Sequence, residues 1–141
     1  MKKTKFFNKE ERKWLVIDAK DKILGRLASR IAKILQGKDK AVYSPNFLCG
    51  DRILVINAKY IRFTGNKLKD KVYDKYTGYP SGRKEMKLEV LLEKNSTKVL
   101  QSAVKGMLPK SNLGSQMLKS LYVYPEGEHK QQAQQPIKIE V

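Results

Sequence analysis

Two uninterrupted apolar runs rich in β-branched residues, Trp14-Leu15-Val16-Ile17-Asp18 and Ile53-Leu54-Val55-Ile56-Asn57, bracket a helical pattern. This arrangement restricts the fold more than any other feature of the chain. A strand with one wet face alternates apolar and polar residues, whereas a run apolar throughout is buried on both faces, as in a parallel sheet. Parallel strands need a long crossover. The stretch from Gly25 to Gln36 supplies one, because Leu24, Leu27, Ala28, Ile31 and Leu35 recur at helical spacing. Arg26, Arg30 and Lys33 follow one another at i, i+4 and i+7 and so share a different face. Gly37 is placed to stop the helix. Strand, helix and strand in this order make a βαβ unit and an α/β fold.

The rest of the chain extends this unit. Lys38 to Asp51 reads as a loop, broken by Ser44-Pro45-Asn46 and Cys49-Gly50-Asp51. Ile61-Arg62-Phe63-Thr64 alternates and reads as a third strand, ended by Gly65-Asn66. From Lys67 to Glu85 no apolar period survives, which predicts an exposed, ordered loop or an irregular hairpin. Leu88, Leu91 and Leu92 mark a short helix closing near Asn95-Ser96. Val99, Leu100, Ala103, Val104 and Met107 mark a second, stopped by Pro109. Asn112 is the expected cap of a third, which carries Leu113, Met117 and Leu121 on one side. Leu121 to Tyr124 alternates like a strand, and the polar, Gln-rich tail from Pro125 is expected to run extended over the surface. There is no internal repeat and no linker. We expect a single domain over 1–141, with a charged N-terminal extension at 1–13 and an extended tail at 125–141.

Charge carries the first functional signal. Thirty Lys and Arg face 14 Asp and Glu, for a net charge of +16. So large an excess repels itself in a compact body and calls for a polyanionic partner. Only six of these cations are Arg (Arg12, Arg26, Arg30, Arg52, Arg62 and Arg83), and the other 24 are Lys. Lys is a hydrated point charge suited to neutralising phosphates, whereas the planar fork of Arg suits base edges. The balance favours backbone contact over sequence reading.

Two segments concentrate the chemistry that nucleic acid requires. Between Lys67 and Glu85, the cations Lys67, Lys69, Lys71, Lys75, Arg83 and Lys84 interleave with Tyr73, Tyr76 and Tyr79 and with Gly78 and Gly82. Cations neutralise phosphates, tyrosines stack on unpaired bases, and glycines admit a close backbone. The alternative is a solvated loop whose tyrosines pack on the core, and the charge excess weighs against it. The second segment, Lys105 to Gly114, joins two helices, and Lys105, Lys110 and Asn112 flank the start of the later one. An ordinary interhelical corner is the alternative there. With Arg26, Arg30 and Lys33 on the first helix and Lys38 and Lys40 after it, these cations and tyrosines and Asn112 make up the candidate RNA-binding set.

Catalytic chemistry is poorly represented. His129 is the only histidine and reads as a surface residue of the tail; Cys49 is the only cysteine and reads as core. One cysteine rules out an intrachain disulfide and a Cys-x-x-Cys metal site. Asp18 and Asp21, at the end of the first strand, are assigned turn and cap roles. The phosphate-loop spacing G-x-x-x-x-G-K-[ST] is absent. We expect no enzyme, cofactor, metal or small-molecule substrate. No apolar run approaches the length of a membrane span, so no membrane partner is expected. A general nucleic-acid-binding regulator and an RNA-modifying α/β enzyme are the rival classes.

Several motifs are familiar as a set. Trp14 to Ala19, Leu24-Gly25-Arg26-Leu27-Ala28-Ser29 and Gly37-Lys38-Asp39-Lys40 come first, with Gly50-Asp51 and Val55-Ile56-Asn57-Ala58 after them. Thr64-Gly65-Asn66-Lys67, Thr77-Gly78-Tyr79-Pro80, Val104-Lys105-Gly106-Met107-Leu108-Pro109 and Ala133-Gln134-Gln135-Pro136 continue the series. In order and spacing, from Trp14 to Pro136, the chain resembles bacterial-type large-subunit ribosomal protein thirteen. It departs from that pattern at Ser44 to Cys49, at Ser115 and at His129 to Gln132. The resemblance implies a three-layer α/β/α sandwich around a mostly parallel four-stranded sheet, here with an irregular basic loop and a polar tail. It also implies a structural role in the large subunit, binding and bridging its ribosomal RNA early in assembly beside neighbouring ribosomal proteins. Repression of its own mRNA is a secondary expectation. The implied location is the cytoplasmic ribosome of a bacterium, or the matrix or stroma if the gene is organellar.

Overall fold

A computed structural model describes residues 12–140. Most of the N-terminal extension, residues 1–11, lies outside the described residues. The first apolar run forms β1 (Trp14–Asp18) and the second β2 (Arg52–Ile56), paired in parallel from Trp14↔Arg52 to Asp18↔Ile56. The crossover helix α1 (Leu24–Gln36) joins them. No side chain caps its start. The Leu24 amide instead donates to the Arg62 carbonyl, and the Arg62 amide to Lys22. At the other end Gly37 takes a left-handed conformation (φ 78°), and its amide closes the last turn on Ile34 and Lys33. Gly50 lies so close to the Leu35 carbonyl that any Cβ there would collide with it. The loop from 38 to 51 is thereby locked against the end of α1.

The segment after β2 corrects one expectation. Ile61 to Thr64 is not a strand: it makes a single parallel bridge, Ile23↔Arg62, following a 3-10 turn at Ala58–Tyr60. Its hydrogen bonds are spent on the start of α1, and the sheet edge beside β1 is taken by another segment. The chain then forms the short helix α2 (Lys67–Asp70) and the strands β3 (Val72–Tyr76) and β4 (Arg83–Lys87). Of the two forms expected for this region, the hairpin is the one adopted. Its antiparallel register is regular over five pairs, Val72↔Lys87 to Tyr76↔Arg83.

Helix α3 (Leu88–Met107) carries a break at Asn95 (φ −158°, ψ 81°), where the sequence predicts one helix closing and another opening. The Asn95 side-chain oxygen accepts from the Lys98 amide at 3.3 Å and from the Thr97 hydroxyl at 2.6 Å, which caps the second half. Helix α4 (Asn112–Leu118) is capped by Ser111, not by Asn112. The Ser111 hydroxyl oxygen accepts from the Gly114 amide at 3.3 Å, and Asn112 is the first helical residue.

Strand β5 (Leu121–Val123) pairs with β2, and the tail ends in β6 (Ile137–Ile139), which pairs with β1. Among the described residues the sheet has the order β5-β2-β1-β6, parallel throughout. Its fourth strand therefore comes from the tail, which the sequence predicts to run extended over the surface. Leu15, Ile17, Ile53, Val55 and Leu121 pack with buried residues of α1, α3 and α4 on one side, including Leu27, Ile31, Leu100 and Val104. Val16 and Leu54 point to the opposite side and are buried as well. Buried residues of α1 and α3 share one core cluster, and the general right-handed crossover rule would carry the return from β5 to β6 over the opposite face. This is an α/β architecture compatible with three layers.

Candidate nucleic-acid interface

The hairpin has two chemically different faces. Residues opposite one another on antiparallel strands share a face. Arg83 belongs to the face of Asp74 and Glu85, and its guanidinium lies 3.5 Å from the Asp74 carboxylate and 3.0 Å from that of Glu85. The other face pairs Tyr73 with Met86 and Lys75 with Lys84. Two exposed ammonium groups in cross-strand register repel each other, and no ion pair among the described residues relieves either. The ammonium of Lys71 sits 5.1 Å from the centre of the Tyr73 ring. At the tip, Gly78 and Ser81 have positive φ, and the Gly82 amide donates to the Tyr79 carbonyl at 2.9 Å. The ordered turn holds Tyr76 and Tyr79 out, at 67% and 74% exposure.

The cations around α1 divide similarly. Arg26 and Arg30 are exposed and make no ion pair among the described residues, whereas Lys33 reaches Asp39 at 3.0 Å. Lys38 is exposed. Lys40 turns inward to Asp51 at 2.6 Å, and the same carboxylate oxygen accepts from the Lys13 amide at 3.0 Å. This pair ties the 38–51 loop to the start of β1.

The end of α3 separates two recesses. One, about 310 Å³, is lined by Lys105, Lys110, Ser111, Asn112 and Ser115. The other, about 390 Å³, lies between the start of α1, the segment around Phe63 and the end of α3. Lys67 and Lys71 line it, and so does Arg62, a cation the sequence reading left inside its expected third strand. The only cue was that Arg62 alternates with Ile61 and Phe63. Lys69 is exposed on α2. Arg26 lines a third recess with Asp21 and Lys22. The recess of Arg26 and that of Arg62, Lys67 and Lys71 share Ile23, and the latter adjoins the Lys105 recess across the end of α3, so these candidate residues line neighbouring recesses.

Elsewhere the polar groups serve the fold. The Asp18 carboxylate accepts from the Asn57 amide group at 2.9 Å and from the Lys20 backbone amide at 3.0 Å, a turn role as expected. The Asn57 hydrogen bond and then the Lys20 one hold its carboxyl below the ordinary value. His129 is half-buried, not a surface residue. Among the described residues no group of three or more His, Cys, Asp or Glu comes together to hold a metal, and no helix is long and apolar enough to cross a membrane.

The chain thus folds as a small parallel α/β protein with exposed cations that no carboxylate pairs among the described residues. Comparison with known proteins narrows the class. A profile of the family described as ribosomal protein L13 matches residues 12–130. The large ribosomal subunit protein uL13 of Thermoanaerobacter sp. strain X514 is 54% identical over 131 residues, covering 93% of this chain and 92% of the relative. Its counterpart in Hahella chejuensis is 50% identical over the same length, and that in Mycoplasmopsis synoviae is 46% identical over 143 residues. The chain belongs to the ribosomal protein L13 family, the family its colinear motifs resemble, and is a structural protein and not an enzyme.

Proposed function

We propose that the protein is a structural constituent of the large ribosomal subunit that binds and bridges segments of its ribosomal RNA, entering early in assembly. The observation that carries this reading is the distribution of the cations. Lys75 faces Lys84 across an exposed hairpin, Arg26 and Arg30 stand on α1, and Lys105 and Lys110 line a recess elsewhere. Exposed cations on the hairpin, on α1 and at the end of α3 offer several places for phosphates of different RNA segments to bind. Phosphate contacts then supply the affinity, and the tyrosines of the hairpin tip supply stacking. Lys40 and Arg83, held by carboxylates, contribute less to this binding than Lys75 and Lys84. The names of its relatives support the large subunit as the setting, and the proposed location is the cytoplasm of a bacterium. Repression of its own message would draw on the same basic faces.

Sedimentation of the native protein tests the reading. It should migrate with large subunits after a high-salt wash; recovery at the top of the gradient would exclude it. Binding to large-subunit RNA fragments should weaken steeply with salt, each contacting Lys adding about 0.7 to 0.9 to the logarithmic slope. Equal affinity for unrelated DNA duplexes would favour a general regulator.

A further inference from the structure

The recess between the start of α1 and the end of α3 has features that internal packing does not explain. Gly25 on α1 and Gly106 on α3 both line it. A Cβ built at either would meet nothing within 4 Å, and neither has a positive φ. Glycine inside a helix is unfavourable relative to alanine. Here neither backbone conformation nor a neighbouring atom of the fold requires it. What the two glycines preserve is open space at the mouth of the recess. Phe63 and Met107 add apolar lining, Met107 being 43% exposed, and Arg62, Lys67 and Lys71 add three cations with no carboxylate in the lining.

We infer that this recess seats one unpaired nucleotide of single-stranded RNA, with its base against the apolar lining and its phosphates among Arg62, Lys67 and Lys71. The inference rests on the RNA-binding reading and names a subsite within it. An anion alone would not need Phe63 and Met107, and an apolar peptide would not suit three unopposed cations. An unstacked nucleotide presents both an apolar ring and a negative charge, and proteins take such bases on aromatic or guanidinium planes. At about 390 Å³ the recess lies at the small end of ligand pockets, which suits one protruding nucleotide and not a duplex.

The test fills the recess without touching its charge. Gly106→Leu in the full chain should bind a short single-stranded oligoribonucleotide about tenfold more weakly, within the range for losing one base-stacking contact. Its salt slope should be unchanged, because every cation stays. Binding of the same sequence as a duplex should not change. Gly25→Ala, which adds one methyl in open space and favours the helix, should weaken single-strand binding in the same direction with an undiminished melting temperature. Wild-type affinity for the single strand in a folded Gly25→Ala and Gly106→Leu pair would overturn the subsite while leaving the RNA reading intact, as would an equal loss on the duplex. Absent or salt-independent binding by the unaltered protein would overturn the RNA reading, and the subsite with it.

Discussion

The molecule contains two five-residue strand pairings of opposite character. β1 and β2 bury three consecutive residues each, Leu15 to Ile17 and Ile53 to Val55; β3 and β4 bury none, and only Tyr73 and Met86 are even half-covered. The first pairing is stabilised by removing apolar surface from water, at about 1.5–3 kcal/mol for each fully buried side chain. The second has its ladder and its attachment to α3, where the Leu88 amide donates to the Lys71 carbonyl at 2.8 Å. An isolated two-stranded hairpin is marginal in water, and here it also carries two opposed ammonium groups. The sheet is built for its own stability. The hairpin is held by its ladder, the Arg83 ion pairs and Tyr73 against the edge of the core, while Lys75 and Lys84 oppose one another on its exposed face.

The contrast can be broken at several points. The largest effect should come from the buried side: Leu100→Ala, at a fully buried position, should cost about 2–5 kcal/mol in denaturant unfolding. A loss below about 1 kcal/mol would mean the helical layer is not the stabilising one. Next comes Lys40, a cation turned inward. Asp51→Ala leaves the Lys40 ammonium half-buried and the Lys13 amide without its acceptor, and should destabilise by about 2–3 kcal/mol. Calorimetry reads this directly, and an unchanged melting temperature would return Lys40 to the free cations.

On the exposed side, Tyr79→Ala should leave stability within about 0.5 kcal/mol. It should cost about 1–3 kcal/mol of RNA affinity if the ring stacks on a base, and equal affinity would remove the tip from the interface. Lys75→Glu sharpens the comparison most, because it should move the two properties in opposite directions. Facing Lys84, the new carboxylate should raise stability by about 0.2–1 kcal/mol, while RNA affinity and its salt slope fall. Both rising together would contradict the assignment of that face.

The smallest effect concerns Asp18. Its carboxyl is held low in the folded state, so its contribution to stability is present above the ordinary carboxylate value and is lost as pH falls through the lowered one. Asn57→Gly keeps the positive φ at that position (60°) and removes the first-named hydrogen bond. By NMR titration the Asp18 pKa should rise toward its ordinary value, and an unmoved titration would assign the shift to the Lys20 amide instead.

Legibility in the sequence followed the same division. β1, α1 and β2 were readable because burial imposes a local pattern, apolar throughout for the strands and helical for α1. The hairpin strands were not separable from a loop, since a strand exposed on both faces carries no period of two. Ile137 to Ile139 was missed because three residues show no period and their partner, β1, lies at the other end of the chain. The candidate cations were visible as residue types, but their commitments were not. Lys33 to Asp39, Lys40 to Asp51 and Arg83 to Asp74 and Glu85 are settled by geometry, and Arg62 was hidden within an expected strand.

The placement of β6 has a consequence for how the protein comes into being. Of the four strands of the sheet, β1 is synthesised first and β6 last, yet they lie side by side. A nascent chain can pair β1 with β2 and then β5 while still tethered, but one flank of β1 stays open until Ile137 to Ile139 emerges. Closure of the sheet therefore waits on Ile137 to Ile139, and a polypeptide lacking them would present the bare edge of β1 to its surroundings.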